Sequence, residues 1–97
     1  MVVPDFVPYD TPPMPTRMVK PEYPAIARQA GIEGKVVLKL LVDLDGKVLD
    51  AKVLVSPHQS LSEAAIKAAK SSQFSPALQR DKPVRVWVAQ PFDFKLR

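Results

Sequence analysis

The chain has no cysteine and a single histidine among its 97 residues. The first absence removes disulfides, thiolate metal sites and cysteine nucleophiles together. It leaves the redox compartment open, because a chain without thiols suits oxidising and reducing surroundings alike. The lone histidine, His58, lies between Pro57 and Gln59 in a connecting stretch. It reads as a solvated loop residue, with no second histidine to complete a zinc site. No apolar run approaches the roughly 18 residues needed to cross a bilayer, and Met1–Val7 lacks a signal-peptide core. The expectation is a soluble domain, or the excised part of a longer, anchored chain.

Charge and glycine are also thin. Net charge is +4, from 14 basic and 10 acidic residues, and no run of five like charges occurs. Nucleic-acid binding wants a clustered basic stripe with interleaved aromatics, so no nucleic-acid partner is expected. Gly31-Ile32-Glu33-Gly34 is too short and too poor in glycine to cradle a phosphate. Asp43 and Asp45 form a carboxylate pair, but a turn explains them, and helix capping explains Ser60 and Ser62. No catalytic constellation emerges, so the sequence reads as a binding module without cofactor or metal, and not as an enzyme.

What is present is organised around Gly34–Ser56. Val36, Leu38, Leu40 and Val42 share one parity; Lys35, Val37, Lys39, Leu41 and Asp43 share the other. After Asp45-Gly46, Leu49, Ala51, Val53 and Val55 alternate with Asp50, Lys52 and Leu54. Period-two patterning on either side of Asp-Gly predicts a hairpin. Two strands alone are marginal in water, so the flanks must supply a third strand and a cover.

Upstream, Pro4, Pro8, Pro12, Pro13 and Pro15 exclude helix and central strand from Met1–Lys20. Residues 1–20 therefore read as a proline-rich linker, and residues 21–97 as the domain. Pro24 suits a helix start and Gly31 its end, with Ile26 and Ala30 as a small apolar face. Downstream, Ser60 through Glu63 match a capping box. Leu61, Ala64, Ala65, Ala68 and Ala69 form a helical stripe that fades near Ser71–Gln73. Phe74 is expected to plug the core edge, and Ala77–Lys82 to be a polar loop. Pro83–Leu96 reads as one long strand, with Val84, Val86, Val88, Phe92, Phe94 and Leu96 inward and Arg85, Trp87, Ala89, Asp93 and Lys95 outward. Pro91 places this strand at an edge or at a bulge. The predicted fold is α+β, a three-stranded antiparallel sheet with two helices on one face, in the order α-β-β-α-β. An open edge carrying Trp87 suits strand addition by a partner, and equally permits a homodimer by strand pairing or swapping.

These motifs converge. Lys20-Pro21-Glu22-Tyr23-Pro24, Gly31-Ile32-Glu33-Gly34-Lys35-Val36, Asp45-Gly46-Lys47-Val48, Leu61-Ser62-Glu63-Ala64-Ala65, Phe74-Ser75-Pro76-Ala77 and Pro91-Phe92-Asp93-Phe94-Lys95-Leu96 resemble the TonB C-terminal domain family over Lys20–Leu96. One departure is Ser72, where the family often has tryptophan. The resemblance implies a periplasmic energy-transducer domain, whose longer protein is anchored in the inner membrane by an N-terminal helix. It implies a grip on the N-terminal segment of outer-membrane TonB-dependent transporters. Inner-membrane proton-channel proteins, engaged by the region upstream, would supply proton-motive force for uptake of siderophores and cobalamin-like ligands. Carried over by position, Val84, Arg85, Val86, Trp87, Val88 and Ala89 form the pairing edge, and Pro21, Tyr23 and Pro24 lie close to the transporter. The competing expectation is a TonB-like interaction domain on a sensor or cell-envelope assembly factor.

Overall fold

A computed structural model describes residues 9–96. Its central feature is the expected antiparallel sheet, in which β2 (Gly34–Val42) lies between β3 (Val48–Val55) and β7 (Val86–Phe94). The order along the chain is β1 (Pro15–Arg17), α1 (Ala25–Gln29), β2, β3, α2 (Gln59–Lys70), β4 (Gln73–Phe74), β5 (Ala77–Gln79), β6 (Lys82–Val84), β7. Two small pairs, β1 with β4 and β5 with β6, flank the main sheet.

The core lies between one face of the sheet and α2. Val36, Leu38, Leu40 and Val42 are fully buried, with Phe92 and Phe94 beside them. Across from them stand Leu61, Ala65, Ala68 and Ala69. Alanines let the helix approach the sheet closely, which is how a short chain reaches core packing density.

Helix ends follow local chemistry, with shifts from expectation. Pro24 is the N-cap of α1 and not its first helical residue. Ala27 is the buried position, and Ile26 is 64% exposed, so the expected Ile26–Ala30 face does not form. A helix of five residues has few inward positions, and here Ala27 occupies the buried one. Gly31 at φ 68° ends it. Ile32 N–H donates to Ala27 O (2.9 Å) and Gly31 N–H to Arg28 O (3.2 Å), the two bonds of a Schellman cap. In α2 the cap is His58, not Ser60. Its Nδ1 accepts from Ser60 N–H at 3.1 Å, while Glu63 meets the Gln59 side chain instead of reaching back.

The strand pattern is also modified. Two register shifts in the β2–β3 pairing, after Val37 and after Leu41, insert extra residues into β3. They break the expected alternation, and Leu49, Val53, Leu54 and Val55 are left exposed. Ala77–Lys82 is not a loop. Gln79 pairs with Lys82 across Arg80 and Asp81, at φ 51° and 67°, as a type I′ hairpin turn requires. No glycine or asparagine marks that turn. The long strand expected from Pro83 onwards is consequently split at Arg85: Val84 pairs with Ala77 in the small hairpin, and only β7 joins the main sheet.

Of the lead-in expected over residues 1–20, the stretch from Asp10 to Val19 runs antiparallel along Ser72–Arg80. Thr11 and Leu78 exchange backbone bonds; Ser75 N–H donates to Met14 O, and Met14 N–H donates to the Ser75 side-chain Oγ. Arg80 N–H donates to Asp10 Oδ2 (2.7 Å). Ser72 Oγ accepts from Val19 N–H (3.0 Å) and donates to Ala68 O (2.8 Å). The prolines permit this because the contact is at an edge and uses few ladder donors. Ser72, 4% exposed, thus ties the end of α2 to this strap.

Candidate functional site

β7 has one paired side and one open side among the described residues. Its pairing with β2 is unbroken for nine residues, from Gly34↔Phe94 to Val42↔Val86, with no shift at Pro91. Strand geometry then decides which backbone groups face outward. Asp43 N–H donates to Lys47 O and Asp43 O accepts from Gly46 N–H, so the odd-numbered residues of β2 direct their backbone groups toward β3. Its even-numbered residues face β7, and in an antiparallel ladder they bond to their direct partners. Trp87, Ala89, Pro91 and Asp93 pair with odd residues and therefore turn their backbone groups to the open edge. Pro91 has no N–H to give, which is why the strand tolerates it. The outward donor row runs through Trp87 and Ala89, breaks at Pro91 and resumes at Asp93.

Side chains divide by face. Val86 is buried and Val88 half-buried on the core side. Trp87 lies on the outer face, directly across from Leu41, which is only 8% exposed there. It is half-buried and does not stand free. The ammonium groups of Lys39 and Lys52 each sit 5.0 Å from its ring centroid, within cation–π range. Its indole N–H is buried with no acceptor among the described residues. Ala89 is exposed, and its cross-strand neighbour is Lys39, which itself faces Lys52. Sequence reasoning passed over Lys39 and Lys52. The parity they share with the outer face was visible, but the register placing them beside Trp87 was not.

Arg85 lies just beyond the ladder and donates from Nε to Asp43 Oδ1 at 3.1 Å. Asp43 is held below its ordinary pKa, first by the backbone N–H of Leu44 and then by Arg85 and Lys47, with desolvation the one opposing effect.

Pro21, Tyr23 and Pro24 are not beside Trp87. Tyr23 packs edge-on against Phe94, with ring centroids 5.5 Å apart, at the other end of β7. Its hydroxyl donates to Ile32 O, and Arg28 lies 4.9 Å from its ring centroid. Burial raises the Tyr23 pKa, with Glu33 adding and Arg28 opposing. Pro21, Tyr23, Arg28 and Lys95 line a pocket of about 540 Å³ here. Pro21 and Pro24 also border a groove of about 500 Å³ against α2. The seven-residue step from Trp87 to Phe94 spans about 24 Å. The expected site is therefore two clusters joined by one open strand edge. Among the described residues no group of three or more His, Cys, Asp or Glu could hold a metal ion.

A family model described as Gram-negative bacterial TonB protein C-terminal matches residues 19–96. The chain is 43% identical over 77 residues to Protein tonB2 of Pseudomonas aeruginosa, covering 78% of this chain and 28% of that protein. It is 35% identical over 88 residues to Protein TonB of Vibrio cholerae, covering 90% and 36%. The chain thus spans about a third of the length of the curated relatives it matches. The solution NMR structure of the Pseudomonas aeruginosa TonB CTD superposes with a TM-score of 0.73 at 31% identity, over 91% of this chain and 90% of that one. The chain belongs to the TonB C-terminal domain family.

Proposed function

We propose that this domain is the periplasmic gripping module of a TonB-type energy transducer. It captures the N-terminal segment of outer-membrane TonB-dependent transporters by strand addition to β7. The observation that carries this reading is the contrast between the two sheet edges. β3 is interrupted by two register shifts, a common way to blunt an edge. β7 keeps a regular nine-residue ladder and offers outward backbone groups at Trp87 and Ala89. A partner strand gains main-chain hydrogen bonds there, and side-chain contacts set its selectivity. In this reading the proline-rich lead-in of residues 1–20 links a spacer to the gripping domain of residues 21–97, and its Asp10–Val19 part is docked on that domain as the strap. An N-terminal helix upstream anchors the whole in the inner membrane and meets the proton-channel proteins.

The mechanics follow from the geometry of addition. Pulling along an added strand loads its hydrogen bonds in shear. Each is worth only about 1 kcal/mol net, yet shared loading resists force better than sequential peeling. Force derived from the proton-motive gradient then reaches the transporter and drives uptake of siderophore- or cobalamin-like ligands. The same open edge allows homodimerisation by strand pairing. The second reading, an interaction domain of a sensor or assembly factor, shares the fold and differs in partner.

The test is functional replacement. Residues 9–97 are fused behind the anchor and spacer of a TonB protein lacking its own C-terminal domain. Growth on a ferric siderophore as the iron source is expected, with loss of growth for Ala89→Pro. A fusion that is stably made but supports no transport, and crosslinks to no transporter, would favour the second reading.

A further inference from the structure

We infer that the pocket at the far end of β7, lined by Lys20, Tyr23, Arg28 and Lys95, takes a carboxylate side chain of the partner, just beyond the added strand. The inference rests on the strand-addition reading and specifies the chemistry of the partner. The pocket, of about 540 Å³, is also lined by Asp93, the last residue of β7 that turns its backbone groups to the open edge. A strand added along that edge leaves β7 there. At about 3.3 Å per residue, the partner residues that arrive at the pocket are about five to seven positions past the one opposite Ala89.

The charges around the pocket favour an anion. Arg28 comes from α1, Lys20 from the lead-in and Lys95 from the segment after β7. None of the three is in an ion pair among the described residues. Arg28 packs on the Tyr23 ring, 4.9 Å from its centroid, and that ring is held by Phe94 and by its hydrogen bond to Ile32 O. The guanidinium is therefore placed before a ligand arrives, and its planar fork matches a carboxylate. The acidic groups nearby have donors of their own or face elsewhere. Asp93 lies 4.0 Å from Lys35 Nζ. Glu33 Oε2 accepts from Leu96 N–H at 2.6 Å. Glu22 borders the groove against α2 and not this pocket. With Lys35 and Asp93 cancelling, and Glu33 offsetting one cation, a surplus of positive charge remains.

The test uses a peptide from the N-terminal segment of a TonB-dependent transporter of the same organism. A neutral Gly-Ser tail is added at either end, carrying one glutamate or its glutamine twin at successive positions. Binding is followed by backbone amide shifts and by fluorescence of Trp87, the sole tryptophan. Glutamate on the tail that leaves β7 beside Asp93 should bind about 2–5-fold tighter than glutamine, the scale of a solvent-exposed ion pair. The gain should narrow as salt rises, come with shifts of the Arg28 and Lys95 amides, and disappear when Lys20→Gln, Arg28→Gln and Lys95→Gln are combined. Equal affinity of every Glu and Gln twin, with Trp87 and Ala89 amides still shifting, would overturn the inference while leaving strand addition intact. So would equal gains from the two tails, the mark of general attraction to a basic domain, or a gain that survives the triple variant. Absence of β7 shifts with every peptide would instead remove the reading beneath it.

Discussion

A side chain at Gly46 would place its Cβ 1.7 Å from the carbonyl oxygen of Phe74. The β2–β3 turn is docked against β4, with Phe74 N–H donating to Gly46 O (3.0 Å) and Gln73 Nε2 to Asp45 O (2.9 Å). Gly46 also holds φ 86°. Both demands fall on one residue. Gly46→Ala should cost about 3 kcal/mol or more, from clash and left-handed strain together. A denaturant midpoint within error of the parent would contradict this docking.

His58 caps α2 through Nδ1, and α2 has no acidic residue in its first turn. Aspartate caps better and suits the helix dipole. His58→Asp should raise stability by about 0.5–1 kcal/mol, and His58→Ala should lower it by a similar amount. Thermal unfolding of the two variants measures both; a destabilised His58→Asp would show that the ring does more than cap.

Ser72 joins Val19 to the end of α2. Ser72→Ala leaves the Val19 N–H without its acceptor and should cost about 1–2 kcal/mol. Hydrogen exchange at the Val19 amide should accelerate more than in β2. Uniform acceleration across the domain would mean that the strap and the core open as one unit.

Asp43 gives a pH signature. Its folded pKa lies below the ordinary 3.8, so its contribution to stability is fully present above the unfolded value. That contribution is lost as pH falls through the folded pKa. Unfolding midpoints of Asp43→Asn and the parent, compared from pH 7 down to about pH 2, should converge at the acid end. Carboxyl NMR shifts should show Asp43 titrating below the ordinary carboxylate range. A normal or raised titration would contradict the hydrogen bonds from Leu44 and Arg85.

Much of the architecture was legible because it rests on short-range rules. Parity set the buried face of β2 and the two faces of β7, and Asp-Gly set the main turn. Gly31 ended α1 as its torsional freedom suggests, and the alanine stripe found its sheet. The misses came from terms that depend on register or tertiary contact. The β3 bulges depend on how two strands slide past each other, which alternation within one strand does not report. The Arg80-Asp81 turn takes positive φ without the residues that usually advertise it. The strap from Asp10 to Val19 is specified by acceptors more than fifty residues away. At the site, Trp87 and Ala89 were legible as outward-facing residues. Lys39 and Lys52 became visible only when β2 was laid against β7, and Tyr23 proved to lie at the far end of that strand.

The most direct test is titration of the isotopically labelled domain with a peptide from the N-terminal segment of a TonB-dependent transporter from the same organism. Amide shifts are expected to centre on Trp87 and Ala89, and Ala89→Pro is expected to weaken binding by about tenfold. That variant removes one outward N–H from β7 and leaves the ladder to β2 intact, so its spectrum should remain that of a folded domain. Binding undiminished by Ala89→Pro, or shifts confined to β3 or α2, would contradict strand addition at β7.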